Sequence, residues 1–173
     1  MSALEVLLTV SIVPLRMCSM FSCTNIAVDG FSGSQKAFLM EFSMPDDGTS
    51  GFNANMPAAW ILNAQIPRTL QYGQADCSCW TSGCGEFDVF EVLDSGNTRC
   101  KSTLHGNLSG GDSDYFDRPV DGTVKAAVIF NADNIVIQIL DDDYQFPTTM
   151  TASDINSIVD NETITTSKFA VSS

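Results

Sequence analysis

The stretch "CGEFDVFEVL", residues 84–93, reads as a buried β-strand, yet it carries three carboxylates: Glu86, Asp88 and Glu91. Side chains alternate between the two faces of a strand, so Glu86 and Asp88 share one face and Phe87 and Val89 the other. Strict alternation would turn Glu91 toward the Phe87 face. A carboxylate among apolar groups costs several kcal/mol unless it is paired or protonated. A β-bulge at Val89-Phe90 removes the conflict: one extra residue returns Glu91 to the face of Glu86 and Asp88 and leaves two apolar residues as its anchor. Three acids then line one surface. Like charges this close raise one another's pKa, which burdens a scaffold but suits chemistry that needs one ionised and one protonated carboxyl group.

The chain has 173 residues, enough for one domain with one core. Its 21 acidic and 8 basic residues give a net charge of −13. Nucleic acid and anionic membrane both require a cationic face, so neither is expected as a partner, whereas a neutral polysaccharide is compatible. Most of the remaining acids read as solvated surface.

The six cysteines, Cys18, Cys23, Cys77, Cys79, Cys84 and Cys100, suit disulfides in an oxidising compartment, with the pairing left open. A zinc site is the weaker alternative, because Cys77, Cys79, Cys84 and Cys100 lack two clean C-x2-C pairs. Two sequons, at Asn107 and Asn161, also favour a secreted chain. The N-terminus "MSALEVLLTVSIVPLRM" has no cationic start and holds Glu5 within its apolar run. It makes a weak signal peptide or a mispredicted gene start, and is too short and interrupted for a transmembrane helix.

Turn signals recur at the spacing of an all-β domain. Strands are expected at 36–45, 58–64, 84–93, 99–106, 123–131, 134–141 and 163–171. The pair 123–131 and 134–141, separated by Ala132-Asp133, is the clearest hairpin. The stretches 65–83 and 107–122 read as long loops, and "TASDINSIVDN" as holding one helical turn. These elements imply an antiparallel β-sandwich with a ligand on one concave face. The loop "GGDSDYFD" lacks the bidentate acid of an EF-hand, and no metal or other cofactor is expected. Retaining glycoside hydrolysis requires two carboxyl groups about 5 to 5.5 Å apart. Glu86 and Glu91 meet that demand only on a bulged, concave strand, leaning over Asp88.

The motif Glu-x-Asp-x-x-Glu, here "EFDVFE", resembles the catalytic signature of family 16 glycoside hydrolases. The segments "GFSGSQKAFLMEFSMP", "MPAAWILNAQIPRTLQYG", "CSCWTSGCGEFDVFEVL" and "STLHGNLSGG" resemble, in order, the fungal cell-wall family named from the yeast "target of SBF" protein, whose members are inferred glycosidases. The likeness runs over about residues 27–143. It implies a concanavalin-like (jelly-roll-like) sandwich, with Glu86 as nucleophile, Asp88 as the assisting acid and Glu91 as general acid/base. It also implies that Trp80 stacks on sugar and that His105 serves the site by donating to Asp88 or to a sugar hydroxyl. Trp60, among apolar strand residues, reads first as core and second as a sugar platform. Asn63, Arg68, Tyr115 and Arg118 are candidates for the rim.

Residues 1–25 match the resemblance poorly, and residues 26–173 form the glycosidase-like domain. Family 16 domains are longer, so a sandwich lacking outer strands is expected. The reading is a secreted, monomeric, extracellular or wall-bound retaining endo-glycosidase acting on β-1,3-glucan. The alternatives are a cell-wall transglycosylase using the same acids, a glucan-binding protein without turnover, and a fragment that does not fold alone.

Overall fold

The computed structural model describes residues 6–8, 35–62, 85–106, 112–131, 133–160 and 166–171. These residues form two β-sheets packed face to face, with a helix against the outside of one of them. The strands are β1 (Val6–Leu8), β2 (Lys36–Phe42), β3 (Ala58–Leu62), β4 (Glu86–Glu91), β5 (Arg99–His105), β6 (Asp112–Asp117), β7 (Val124–Phe130), β8 (Asn134–Leu140) and β9 (Thr166–Ala170), and the helix α1 (Ala152–Val159) lies between β8 and β9. One sheet has the order β1-β2-β7-β8-β9 and the other β3-β4-β5-β6. The all-β sandwich is as the sequence implies. All pairings are antiparallel except β1 with β2, which is parallel and falls in the stretch that the sequence reading set aside.

Alternation explains why the five-stranded sheet is covered on both sides. Phe38, Met40 and Phe42 of β2, Ala126 and Val128 of β7, and Ile135 and Ile137 of β8 face the opposing sheet. The residues between them, Ala37, Leu39, Ala127, Ile129, Val136 and Leu140, pack against Met150 and Ile158 on the other side. A strand buried on both faces reads as a continuous apolar run, as these do. Asn131 and Asn134 exchange both backbone hydrogen bonds, which closes the β7-β8 hairpin around the expected two-residue connection. The helix runs two turns rather than one, because Thr151 and Asp154 form a reciprocal capping box at its start.

The acid-bearing strand is held in the core by aromatic rings of both sheets. Phe87 packs edge-on against Phe169 at 5.3 Å and Phe130 at 6.1 Å, while Phe90 meets Phe42 at 4.8 Å and Phe116 at 5.3 Å. Each such pair contributes about 0.5–1.5 kcal/mol beyond the burial of its rings. Gly85 enters this strand at φ +91°, a conformation that side chains disfavour and glycine accepts freely.

Three expectations are corrected. The stretch 107–122 is not all loop, since it holds β6. Its Gly and Asp content masks an alternating segment in which Phe116 is buried opposite Cys100, and the charges suit the edge of a sheet. Cys100 is a free thiol, 0 % exposed, with Sγ 3.5 Å from Met44 Sδ, so it belongs to no bridge. The other five cysteines and both sequons lie outside the described residues.

Arg118 is not a rim residue. Its guanidinium is buried, donating from Nε to Met44 O at 2.7 Å, from Nη1 to Asn97 O at 3.2 Å, and from Nη2 to Pro45 O at 2.7 Å and Asn55 Oδ1 at 2.6 Å. It ties the turn after β2 to the β4-β5 connection. Replacement by methionine leaves these acceptors without donors. Arg118→Met is therefore expected to lower stability by roughly 3 kcal/mol, read as a lower urea midpoint at unchanged slope.

Candidate active site

Directly opposed residues of an antiparallel pair point to the same side of the sheet. In the four-stranded sheet, Glu86 opposes His105, Asp88 opposes Trp60 and Thr103, and Glu91 opposes Ala58 and Lys101. Lys101 in turn opposes Tyr115, and Thr103 opposes Ser113. One face therefore presents Glu86, Asp88 and Glu91 in the middle, His105, Thr103 and Lys101 along the next strand, and Trp60 and Tyr115 on the two edge strands.

The expected bulge is present. Across β5, Asp88 pairs with Thr103 and Glu91 with Lys101, so Val89 and Phe90 together face Ser102. Across β3, the register passes from Phe90 to Asp88 and skips Val89. Both bulge residues enter the core, each 1 % exposed. Glu91 thereby stays on the face of the other two acids.

Glu86 and Asp88 are 5 % and 6 % exposed, an unusual burial for carboxylates. His105 Nε2 lies 3.0 Å from Asp88 Oδ2. Burial, and then the charge of Glu91, push Asp88 up to about 7. Glu91 is also raised by burial, with His105 and Lys101 acting the other way. Burial lowers His105, against the pull of Glu86 and Glu91. The Asp88-His105 pair therefore favours its uncharged forms and shares one proton near neutrality, beside acids of different environment. Such a set can keep one carboxyl group protonated while another is ionised. One atom each from Glu86, Asp88 and His105 lie within 4.8 Å of one another, a spacing that a metal ion could bridge, although the hydrogen bond already engages His105 Nε2.

Six of the ten site residues expected from sequence come together on this face: Glu86, Asp88, Glu91, His105, Trp60 and Tyr115. Trp60 is 40 % exposed opposite Asp88, so its first reading as core is corrected. The apolar neighbours in "AAWIL" suggested burial, but only alternate positions of the strand turn inward. Tyr115 is half exposed, with the Arg99 guanidinium 4.8 Å from its ring centre. Trp80, Arg68 and Asn63 lie outside the described residues. The sequence reading missed Lys101 and Thr103, which the alternation of "RCKSTLH" puts on the side of His105.

The sequence profile of the family described as "Cell wall protein YJL171C/Tos1, C-terminal" matches residues 8–158. The protein named "Probable circularly permuted 1,3-beta-glucanase TOS1" of Saccharomyces cerevisiae is 54 % identical over 125 residues, 72 % of this chain and 28 % of that protein. Its namesake in Candida albicans is 46 % identical over 149 residues, 80 % of this chain and 32 % of that protein. The S. cerevisiae "Probable circularly permuted 1,3-beta-glucanase YJL171C" is 33 % identical over 172 residues, 90 % of this chain and 43 % of that protein. The chain thus spans less than half the length of these relatives. No solved structure matches.

The raised pKa of Asp88 has a consequence for stability. Between its ordinary value of 3.8 and about 7, the folded chain holds a proton that the unfolded chain releases, so this group's contribution to stability falls as pH rises through that window. His105 acts in the opposite sense, destabilising the fold as pH drops below 6.5. Asp88→Asn removes the Asp88 effect. Its urea midpoint relative to the unsubstituted chain is expected to rise between about pH 4.5 and about pH 7.5; a constant difference would contradict the assignment.

Proposed function

Because the chain belongs to the cell-wall family described as YJL171C/Tos1, C-terminal, we propose that it is a wall-associated glycosidase acting on β-1,3-glucan by internal, retaining cleavage. The observation that carries this reading is the bulged strand, which gathers Glu86, Asp88 and Glu91 on one face beside the exposed ring of Trp60. The names of the relatives, all containing "1,3-beta-glucanase", support the substrate class.

Glu86 acts as the nucleophile, forming a glycosyl ester at the anomeric carbon while Glu91 protonates the departing sugar oxygen. Glu91 then takes a proton from water, and the hydroxide equivalent displaces Glu86 and regenerates both groups. Across β5 the two glutamates stand opposite His105 and Lys101, about 13 Å apart along an extended strand. Their long side chains must lean over Asp88 to reach the spacing of a retaining pair. Asp88, hydrogen-bonded to His105 at 3.0 Å, stands between the two glutamates along the strand and, when protonated, adds no third charge to the face. Trp60 offers a ring face to a glucosyl unit. The overall acidity of the chain is no hindrance, since the substrate is neutral.

The test is product release from laminarin by the purified chain, beside its Glu86→Gln and Glu91→Gln forms. Both substitutions are expected to reduce turnover by more than about 1,000-fold, with binding of laminarin retained. Products longer than the starting oligosaccharide would identify a second sugar as the acceptor in place of water. A folded chain that binds laminarin and releases nothing would refute the catalytic reading. Trp60→Ala is expected to raise KM severalfold with a smaller change in kcat.

A further inference from the structure

Ser102 occupies a position where a polar side chain needs a reason. It lies on the core side of β5 with Cys100, is 0 % exposed, and stands in a layer built from Phe87, Val89, Phe90 and Phe116. An unbonded hydroxyl in such a place costs about 1–3 kcal/mol. Its hydroxyl donates to the backbone carbonyl of Val89.

That acceptor is the point at which the ladder is interrupted. Val89 has no register partner on β3, where Ala59 pairs with Phe90 and Trp60 with Asp88. On β5 the single residue Ser102 faces both Val89 and Phe90. Which residue of β4 is skipped decides which side chains fall on the acid face, because each one-residue step reverses the alternation beyond it. The apolar pair Val89-Phe90 makes a bulge favourable in this region, but two adjacent apolar residues do not by themselves choose which carbonyl turns out of the ladder. A hydroxyl reaching Val89 O does.

We propose that Ser102 is a positioning residue that locks the bulge at Val89 and so holds Glu91 on the face of Glu86 and Asp88. The role of Glu91 in turnover rests on the function proposed above, whereas the lock itself is a statement about register. Ser102 touches no substrate, as it lies on the opposite side of the sheet from the acids. Its effect passes through the β4 backbone.

The experiment compares Ser102→Ala with Ser102→Thr, which keeps the hydroxyl, in two independent measurements on the purified chain. The first is the pattern of cross-strand backbone contacts by nuclear magnetic resonance, in which the unsubstituted chain is expected to show Asp88 opposite Thr103 and Glu91 opposite Lys101. The alanine form should lose or weaken the Glu91-Lys101 pairing and the threonine form should keep it. The second is laminarin turnover. The alanine form is expected to lose about 100-fold in kcat, as for a reacting group displaced by about 1 Å, with KM within about twofold and an altered pH profile; the threonine form should restore both kcat and profile. A purely structural role would lower the melting temperature and leave the pH profile and register unchanged, and that result overturns the proposal. If the alanine form does not fold, Ser102→Cys is read in the same way, its weak S–H donor giving an intermediate kcat; an unchanged register and kcat there also overturns it. Absence of turnover in the unsubstituted chain would count against the proposed function alone, since the register measurement requires no catalysis.

Discussion

The whole arrangement depends on one conflict inside β4: Phe87, Val89 and Phe90 must enter the core, and Glu91 must not. A regular strand satisfies two of these demands and fails the other two, since it would turn Phe90 outward and Glu91 inward. The bulge satisfies all four by allowing two consecutive side chains inward. The aromatic contacts of Phe87 and Phe90 with both sheets make the inward demand strong, because releasing either ring forfeits its burial and its edge-on partners. The same packing that stabilises the sandwich therefore shapes its acid face. Stability and site geometry are set by one strand, which is why neither can be altered there independently.

Around that strand, the fold carries an electrostatic load. Asp88 is buried close enough to Glu91 to feel its charge, and Glu86 is buried beside His105. The chain already has a net charge of −13, so nothing in its overall field relieves the crowding. Relief is local. His105 bonds to Asp88 at 3.0 Å, Lys101 stands opposite Glu91, and burial drives Asp88 toward its protonated form. A proton is the least bulky way to discharge a carboxylate in a packed site, and it remains available for transfer.

The acid strand was legible because its signal is an inconsistency. A charge one place out of step within an apolar run has few physical solutions, and the bulge is the least costly. The β7-β8 hairpin was legible for the ordinary reason that two apolar runs flank a two-residue connection. By contrast, β6 was hidden, since "DSDYFD" has one inward anchor, Phe116, among residues typical of turns. Arg118 looked like a surface cation because sequence gives no sign that four acceptors from distant segments converge on it. Trp60 was misjudged for a subtler reason: composition around it is apolar, but the face it takes depends on register with β4, which only pairing reveals. Ser102 was invisible as a functional candidate, because a lone serine in an alternating strand has no distinctive pattern until its acceptor is known.

The burial of the acids also bears on whether the face only binds or also reacts. Sugar recognition is well served by exposed aromatic rings and by side chains that hydrogen-bond hydroxyl groups, and Trp60 and Tyr115 are of that kind. Such contacts need no buried carboxylate, and crowding three of them costs stability that binding does not recover. A glycosidase puts that cost to use, because the reaction requires a nucleophile that is ionised and an acid that is not, within one small volume. The three carboxyl groups have the unequal surroundings that the proposed reaction would require: Asp88 beside an imidazole and away from water, Glu91 more exposed and facing a lysine. A face built only to hold glucan would be more stable with amides in their place, so the acids in this geometry favour the proposed cleavage over binding alone.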